Sequence, residues 1–172
     1  MNIKNVIIRN ATQNDIYQIV KIKINGWKET YVDIIDNNYL NNISLNDQIS
    51  KYTSSYSLEN IFVAELNNEI VGFCRVYDYE EAQYDGEIDC EIREIYVRSD
   101  IKRMGIGSKL FIHVLKYFKD KNKSKLYLGV FEENYKSRNF YEKMGGIFFK
   151  KDFLEIGGKQ YPTVSYIYEL RK

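Results

Sequence analysis

Residues 91–117 read E-I-R-E-I-Y-V-R-S-D-I-K-R-M-G-I-G-S-K-L-F-I-H-V-L-K-Y, and the rest of the chain is arranged around them. Glu91–Val97 sets Ile92, Ile95, Tyr96 and Val97 among charged residues. The alternation is imperfect, but β-branched and aromatic content is strand chemistry. From Ser108 onward, Leu110, Val114, Leu115 and Phe118 recur at helical spacing, with Lys109, His113, Lys116 and Asp120 on the other face. Between strand and helix stand Lys102, Arg103, Met104, Gly105, Ile106 and Gly107. The two glycines let a backbone approach a bulky anion with no Cβ in the way. A helix start offers unpaired N–H groups and the positive end of its dipole, which together favour phosphate. Lys102 and Arg103 add full positive charge at the same mouth, so the turn suits a diphosphate.

Two familiar glycine-rich phosphate motifs are excluded. A Walker loop needs G-x-x-x-x-G-K-S/T, which is absent. A dinucleotide fingerprint needs a third glycine three residues after the second, where Leu110 stands. What remains, K-R-M-G-I-G after a strand, resembles the pyrophosphate-binding motif of the GNAT acetyltransferase superfamily, (Q/R)-x-x-G-x-(G/A). Lys102 replaces the family's usual Gln or Arg, keeping the charge but losing the planar fork. Further on, Asn134-Tyr135-Lys136-Ser137-Arg138-Asn139-Phe140-Tyr141-Glu142-Lys143-Met144-Gly145 is similar to the family's N-x-x-(A/S)-x-x-F-Y-E-K-x-G signature. Ile8-Arg9-Asn10-Ala11-Thr12 with Asp15, and Trp27-Lys28-Glu29-Thr30-Tyr31, are similar to the start of many small bacterial members. The resemblance runs from Ile7 to about Leu170.

At 172 residues the chain has the size of one domain, 1–172, large enough for a real core. Hydrophobic residues make up 44% and charged residues 28%, a globular composition. A net charge of +1 gives no bulk case for nucleic acid or a membrane as partner. Cys74 and Cys90 are too few and too far apart for a metal set and read as reduced sheet residues, so no metal is expected. The first residues hold only Val6-Ile7-Ile8 as an apolar run, too short for a signal peptide, and no run approaches bilayer length. The expected localisation is cytoplasmic.

Along the chain, Val6–Arg9 reads as a first strand, and Thr12 or Asn14 can cap a helix carrying Ile16, Ile19, Val20, Ile24, Trp27 and Tyr31 on one stripe. Asp36-Asn37-Asn38 breaks it, and a loosely periodic helical segment follows through Leu40, Leu45, Ile49 and Tyr52. Ile61–Leu66 and Glu69–Tyr79 form a hairpin about Asn67-Asn68, and Asp78–Glu87 reads as polar and turn-like. Leu126–Phe131 is strand-like, Asn134–Met144 helical with Gly145-Gly146 as its stop, and Phe148–Ile156 with Tyr161–Leu170 a final hairpin. The fold class is therefore α/β: a mixed, mostly antiparallel twisted sheet with helices on both faces, which the GNAT resemblance also implies. The last hairpin offers an edge strand through which a homodimer could pair.

The resemblance implies an acetyl-CoA-dependent N-acetyltransferase acting on a small-molecule amine. The amine must lose a proton, the carbonyl must be polarised, and the departing thiolate must be protonated. Lys102–Ser108 (Lys102, Arg103, Met104, Gly105, Ile106, Gly107 and Ser108) would hold the diphosphate, largely by backbone N–H. The backbone of Ile95, Tyr96 and Val97 would pair with the pantetheine arm as an added strand. Asn134 would meet a pantetheine amide or simply cap its helix, and Lys143 would meet the outer phosphate or lie on a solvated face. Glu91 is the first candidate for general base, directly or through water, and Glu94 the second; strand alternation places them on opposite faces. Tyr141 matches the tyrosine of the family's F-Y-E-K run and is the candidate general acid. His113 reads as surface.

Asp78, Glu80, Glu81, Asp85, Glu87, Asp89, Glu91 and Glu94 face one base, Arg93, within residues 78–94. Such a run is either a solvated acidic hairpin or a rim that steers a cationic amine such as a polyamine. Trp27, Tyr31 and Tyr84 are candidates to line the acceptor pocket. Two other readings stay open: a peptide or protein N-acetyltransferase, and a non-catalytic acyl-CoA-binding regulatory module.

Overall fold

A computed structural model describes residues 5–84 and 86–171; residues 1–4, 172 and Asp85, one of the acids counted above, lie outside it. Seven strands form a single sheet: β1 (Ile7–Asn10), β2 (Ile61–Leu66), β3 (Glu69–Gln83), β4 (Ile88–Val97), β5 (Lys125–Phe131), β6 (Ile147–Ile156) and β7 (Lys159–Glu169), in spatial order β1-β2-β3-β4-β5-β7-β6. Every neighbouring pair is antiparallel except β4 and β5. Those two are joined by a helix, the crossover that parallel strands require. The helices are α1 (Ile16–Thr30), α2 (Asn37–Asn41), α3 (Leu45–Ser55), α4 (Ile106–Asp120) and α5 (Tyr135–Lys143).

Each helix buries the stripe that its sequence presents. On one face of the sheet, Ile16, Ile19, Val20 and Ile24 of α1 pack with Tyr52 of α3 against Ile61, Val63, Ile70 and Phe73. On the other, Leu110, Phe111, Val114 and Phe118 of α4 and Tyr141 of α5 pack against Cys74, Val76, Cys90, Ile92 and Leu128. Cys74 and Cys90 are free and buried. His113 is half-buried, its ring edge-on to Phe62 at 4.9 Å, so it packs on the sheet rather than standing on an open polar face. No helix among the described residues is long and apolar enough to cross a membrane.

Local signals account for most boundaries. Thr12 donates from both its backbone N–H and its hydroxyl to Asp15 Oδ2, at 2.7 and 2.9 Å. A short 3-10 turn over Gln13–Asp15 then leads into α1. Asn67 and Asn68 both take positive φ, 52° and 65°, the turn that joins β2 to β3 without splaying them. Asn134 caps α5, and Gly145 at φ 93° stops it.

One segment departs from its sequence pattern. Residues 78–87 look like a polar turn, yet β3 continues to Gln83 and β4 starts at Ile88. Strand pairing overrides polarity there, because Asp78 pairs across to Cys90 while its carboxylate is taken by Lys121 and Lys123.

Candidate functional site

The site begins with a failure of pairing. β4 and β5 are in register only from Cys90↔Leu126 to Ile92↔Leu128, although β4 runs on to Val97 and β5 to Phe131. Beyond Ile92 the strands part, and the edge of Ile95–Val97 that faces β5 has no strand partner among the described residues. A cleft of about 1400 Å³ opens in the gap. It is lined from α1, β3, β4, the start of α4, β5, α5 and the end of β6.

At one end stands the α4 start. The helix begins at Ile106, one turn earlier than its apolar stripe suggests, with Gly105 as N-cap at φ 78°. Its first intrahelical bond runs from Lys109 N–H to the Gly105 carbonyl, 3.0 Å. The N–H groups of Ile106, Gly107 and Ser108 therefore have no acceptor in their own helix. All three residues line the cleft, with Lys102, Arg103 and Gly105. Lys102 also forms an exposed ion pair with Glu29 of α1 at 3.2 Å. Met104 does not line the cleft: its side chain packs on the core beneath α4. Lys143 is likewise not in the lining, being exposed in the last turn of α5. Lys136, Ser137, Asn139 and Phe140 line it instead, because the first turns of α5 face the cleft. Asn134 is buried, and its side-chain oxygen accepts from Ser137 N–H at 3.2 Å. That capping bond leaves its amide nitrogen for a ligand carbonyl.

The two glutamates are on the same face of the sheet, and the alternation that separated them fails. Arg75 pairs with Glu94 and the next residue, Val76, with Ile92, so Arg93 is an extra residue in β4. This bulge shifts the side-chain parity. Ile92 and Ile95 both pack toward α4, and Glu91 and Glu94 both point the other way.

Their surroundings differ. Glu94 is gripped by Lys23 and Arg75 at 2.7 Å each and accepts from the Tyr52 hydroxyl. The two cations outweigh burial and hold its carboxyl below the usual glutamate value. Glu91 is only 5% exposed. Its Oε2 accepts from the Tyr79 hydroxyl and forms an ion pair with Arg93 Nε at 3.1 Å, and no partner of Oε1 stands among the described residues. Burial raises its pKa, against the opposing hydrogen bond from Tyr79 and the charges of Arg93 and Arg75.

Tyr141 projects from α5 into the same cleft and is buried. Burial holds its phenol protonated well above the usual tyrosine value. Its ring packs against Phe111, and its carbonyl takes a 2.8 Å hydrogen bond from Tyr168. Tyr31 and Tyr96 meet hydroxyl to hydroxyl at 3.3 Å. Trp27 stands edge-on to Tyr31 at 5.4 Å. Tyr84 lies over Tyr127 with ring centroids 5.4 Å apart. Trp27, Tyr31 and Tyr84 all line the cleft.

Part of the acidic run is engaged away from the cleft. Asp78 is bound by Lys121 and Lys123, Asp89 accepts from the backbone N–H of Ser124 and Lys125, and Lys125 stands 3.8 Å from Glu87. Of the described acids in residues 78–94, only Glu91 and Glu94 line the cleft. The sequence carried no signal for Arg75, Tyr79, Arg93, Tyr127, Phe153 or Leu154, which line it too. They come from four strands, and their convergence depends on the bulge and on sheet order.

Comparison with known proteins agrees with this architecture. Residues 27–146 match the model of the acetyltransferase (GNAT) family. A Bacillus subtilis (strain 168) protein called uncharacterized N-acetyltransferase YuaI is 30% identical over 156 residues, covering 89% of this chain and 87% of that one. The structure of yncA from Salmonella typhimurium with its cofactor acetyl-CoA superimposes with a TM-score of 0.71 at 18% identity, over 98% of this chain and 95% of that one. PaiA N-acetyltransferase from Thermoplasma acidophilum, in complex with coenzyme A, gives 0.65 at 19% identity, over 95% and 99%.

Proposed function

The chain belongs to the GNAT acetyltransferase family, and from that premise we propose that its cleft transfers an acetyl group from acetyl-CoA to the primary amine of a small molecule, with Glu91 as proton acceptor and Tyr141 as proton donor. The observation that carries the reading is the state of Glu91. One hydrogen-bond donor and one ion-pair partner hold one of its oxygens while the other is uncommitted, in a cleft that also contains the Tyr141 phenol and the open start of α4.

The residues fit acetyl-CoA. The N–H groups of Ile106, Gly107 and Ser108 meet the diphosphate. The unpaired edge of Ile95–Val97 accepts the pantetheine arm as a strand would, and the Asn134 amide nitrogen faces one of its carbonyls. The thioester supplies the activated acetyl group. Glu91 takes a proton from the acceptor's ammonium, freeing the lone pair that forms the C–N bond. Tyr141 gives its proton as the C–S bond breaks, so sulfur leaves as a thiol, and the second proton of the newly bonded nitrogen passes to the tyrosinate, directly or through water, leaving a neutral amide and a restored phenol. Burial supports both roles: it raises the proton affinity of Glu91 and keeps Tyr141 protonated at neutral pH. Glu94, the second candidate base, has each oxygen held by a cation, which supports Glu91 ahead of it. A cationic small amine remains the acceptor class. Of the acids that singled out a polyamine, Asp78 and Asp89 are engaged outside the cleft, which supports the broader class.

The test is thiol release from acetyl-CoA across amines, amino acids, aminoglycosides and short peptides, with Glu91→Gln and Tyr141→Phe in parallel. Release with one acceptor class, lost in Glu91→Gln, is the expected result. Coenzyme A binding with no release on any acceptor would overturn it in favour of a binding module.

A further inference from the structure

The acceptor end of the cleft is poor in negative charge and rich in apolar surface. Arg75 and Arg93 line it with Glu91 and Glu94, two cations beside two carboxylates, and Lys23, outside the lining, takes the other oxygen of Glu94. Asp152 at the mouth is neutralised by Lys150 at 2.8 Å and also caps Phe153 N–H. One carboxylate oxygen, Glu91 Oε1, is open to an ammonium, and a second or third ammonium would meet arginine.

The walls there are apolar. Phe153 is 63% exposed, Leu154 48% and Tyr84 43%, and all three line the cleft. Isolated exposed apolar side chains are ordinary on a protein surface. These converge from one strand and a loop on one concavity, beside Trp27 and Tyr127, which marks a binding wall. Tyr84 is held there by its backbone: a positive φ of 51° folds it back so that its ring stacks on Tyr127, with Phe149 edge-on to both. Lys150 covers one side of the Tyr84 ring at 4.4 Å.

We propose that the acetyl acceptor carries a single amine on an aromatic or branched apolar body, seated between Trp27, Tyr84, Tyr127, Phe153 and Leu154 with its nitrogen at Glu91. The proposal rests on the cleft being the transfer site and names the class of molecule that enters it. One ammonium matches one free carboxylate oxygen, and the apolar body covers the exposed wall.

Trp27 is the chain's single tryptophan and lines the cleft, so its fluorescence reports acceptor binding without any need for turnover. The full chain with coenzyme A present is titrated with 2-phenylethylamine, n-butylamine and spermidine, and thiol release from acetyl-CoA is measured with the same amines. The expected order places 2-phenylethylamine about tenfold tighter than n-butylamine, a modest value for an apolar subsite, with spermidine weakest. In Phe153→Ala, whose exposed side chain carries little of the fold, the preference for 2-phenylethylamine over n-butylamine falls toward unity. Tightest binding by spermidine, or a preference unchanged in Phe153→Ala, overturns the proposal. The expected order of binding without thiol release would uphold the class and overturn the catalytic reading instead.

Discussion

The Tyr79 hydroxyl donates to Oε2 of Glu91, the same oxygen that forms an ion pair with Arg93 Nε. Burial disfavours the ionised carboxylate, while the Tyr79 hydrogen bond and the Arg93 charge favour it. Arg75 on β3 also lowers the Glu91 pKa by its charge, and the Glu91 charge contributes to raising the pKa of Tyr127 on β5, which burial raises most. As a base, Glu91 must be deprotonated, so its pKa sets an acid limb in kcat/KM. Tyr79→Phe removes a donor to the charged form, raises the Glu91 pKa and moves that limb to higher pH. Glu91→Gln removes the base and lowers kcat by about 10²–10⁴-fold. A pH–rate profile in which Tyr79→Phe leaves the limb in place, or moves it down, excludes Tyr79 as a positioning residue for Glu91.

Tyr141→Phe keeps the ring and its packing on Phe111 but deletes the proton donor. We expect kcat to fall about 10²-fold with the dissociation constant for acetyl-CoA unchanged. Because burial raises the Tyr141 pKa, the phenol stays protonated past its ordinary value of about 10, and the wild-type rate shows no basic limb from this residue below that pH. Stopped-flow thiol release with a separate binding measurement checks both statements.

The fold leaves room for a side chain at Gly107, whereas the proposed diphosphate site does not. A Cβ there would meet Val97 Cγ2 at 3.8 Å and Phe140 Cζ at 3.9 Å, ordinary contacts. Alanine is also the better helix former, by up to about 1 kcal/mol. Gly107→Ala should therefore hold or raise the melting temperature while weakening acetyl-CoA about tenfold or more, since the diphosphate must approach this backbone. A variant with unaltered affinity in calorimetry would place the diphosphate elsewhere.

Glu94 ties α1 and α3 to β4 through Lys23, Tyr52 and Arg75. Its folded pKa lies below the ordinary 4.5, so the stability it supplies is fully present above that value and is lost as pH falls through the folded one. Glu94→Gln leaves two cations without their carboxylate and should cost about 3 kcal/mol at neutral pH. The same variant should lose less further stability between pH 5 and pH 3 than the parent does. Urea unfolding at the two pH values reads both effects; parallel losses in parent and variant would remove Glu94 from the acid response.

Much of this protein is legible from one sequence because its signals are local. The glycine turn after Val97 and the stripe of Leu110, Val114 and Phe118 specify a strand, a phosphate-suited turn and a helix from the geometry of neighbouring residues. The cap at Asn134, the stop at Gly145 and the paired asparagines at 67 and 68 act within a few positions of themselves. What the sequence withheld is set by pairing between distant strands. One extra residue, Arg93, turns Glu91 and Glu94 to the same face, and no periodicity announces an insertion whose partner lies on β3. The length over which β4 and β5 stay in register decides where the cleft opens, and it depends on both strands together. The acids of residues 78–94 look like one patch in a linear string; folding sends Asp78 and Asp89 to lysines and backbone around the start of β5 and leaves Glu91 in the cleft. A sequence lists charges by position along the chain, whereas their energies depend on distances through space, and only the folded sheet supplies those.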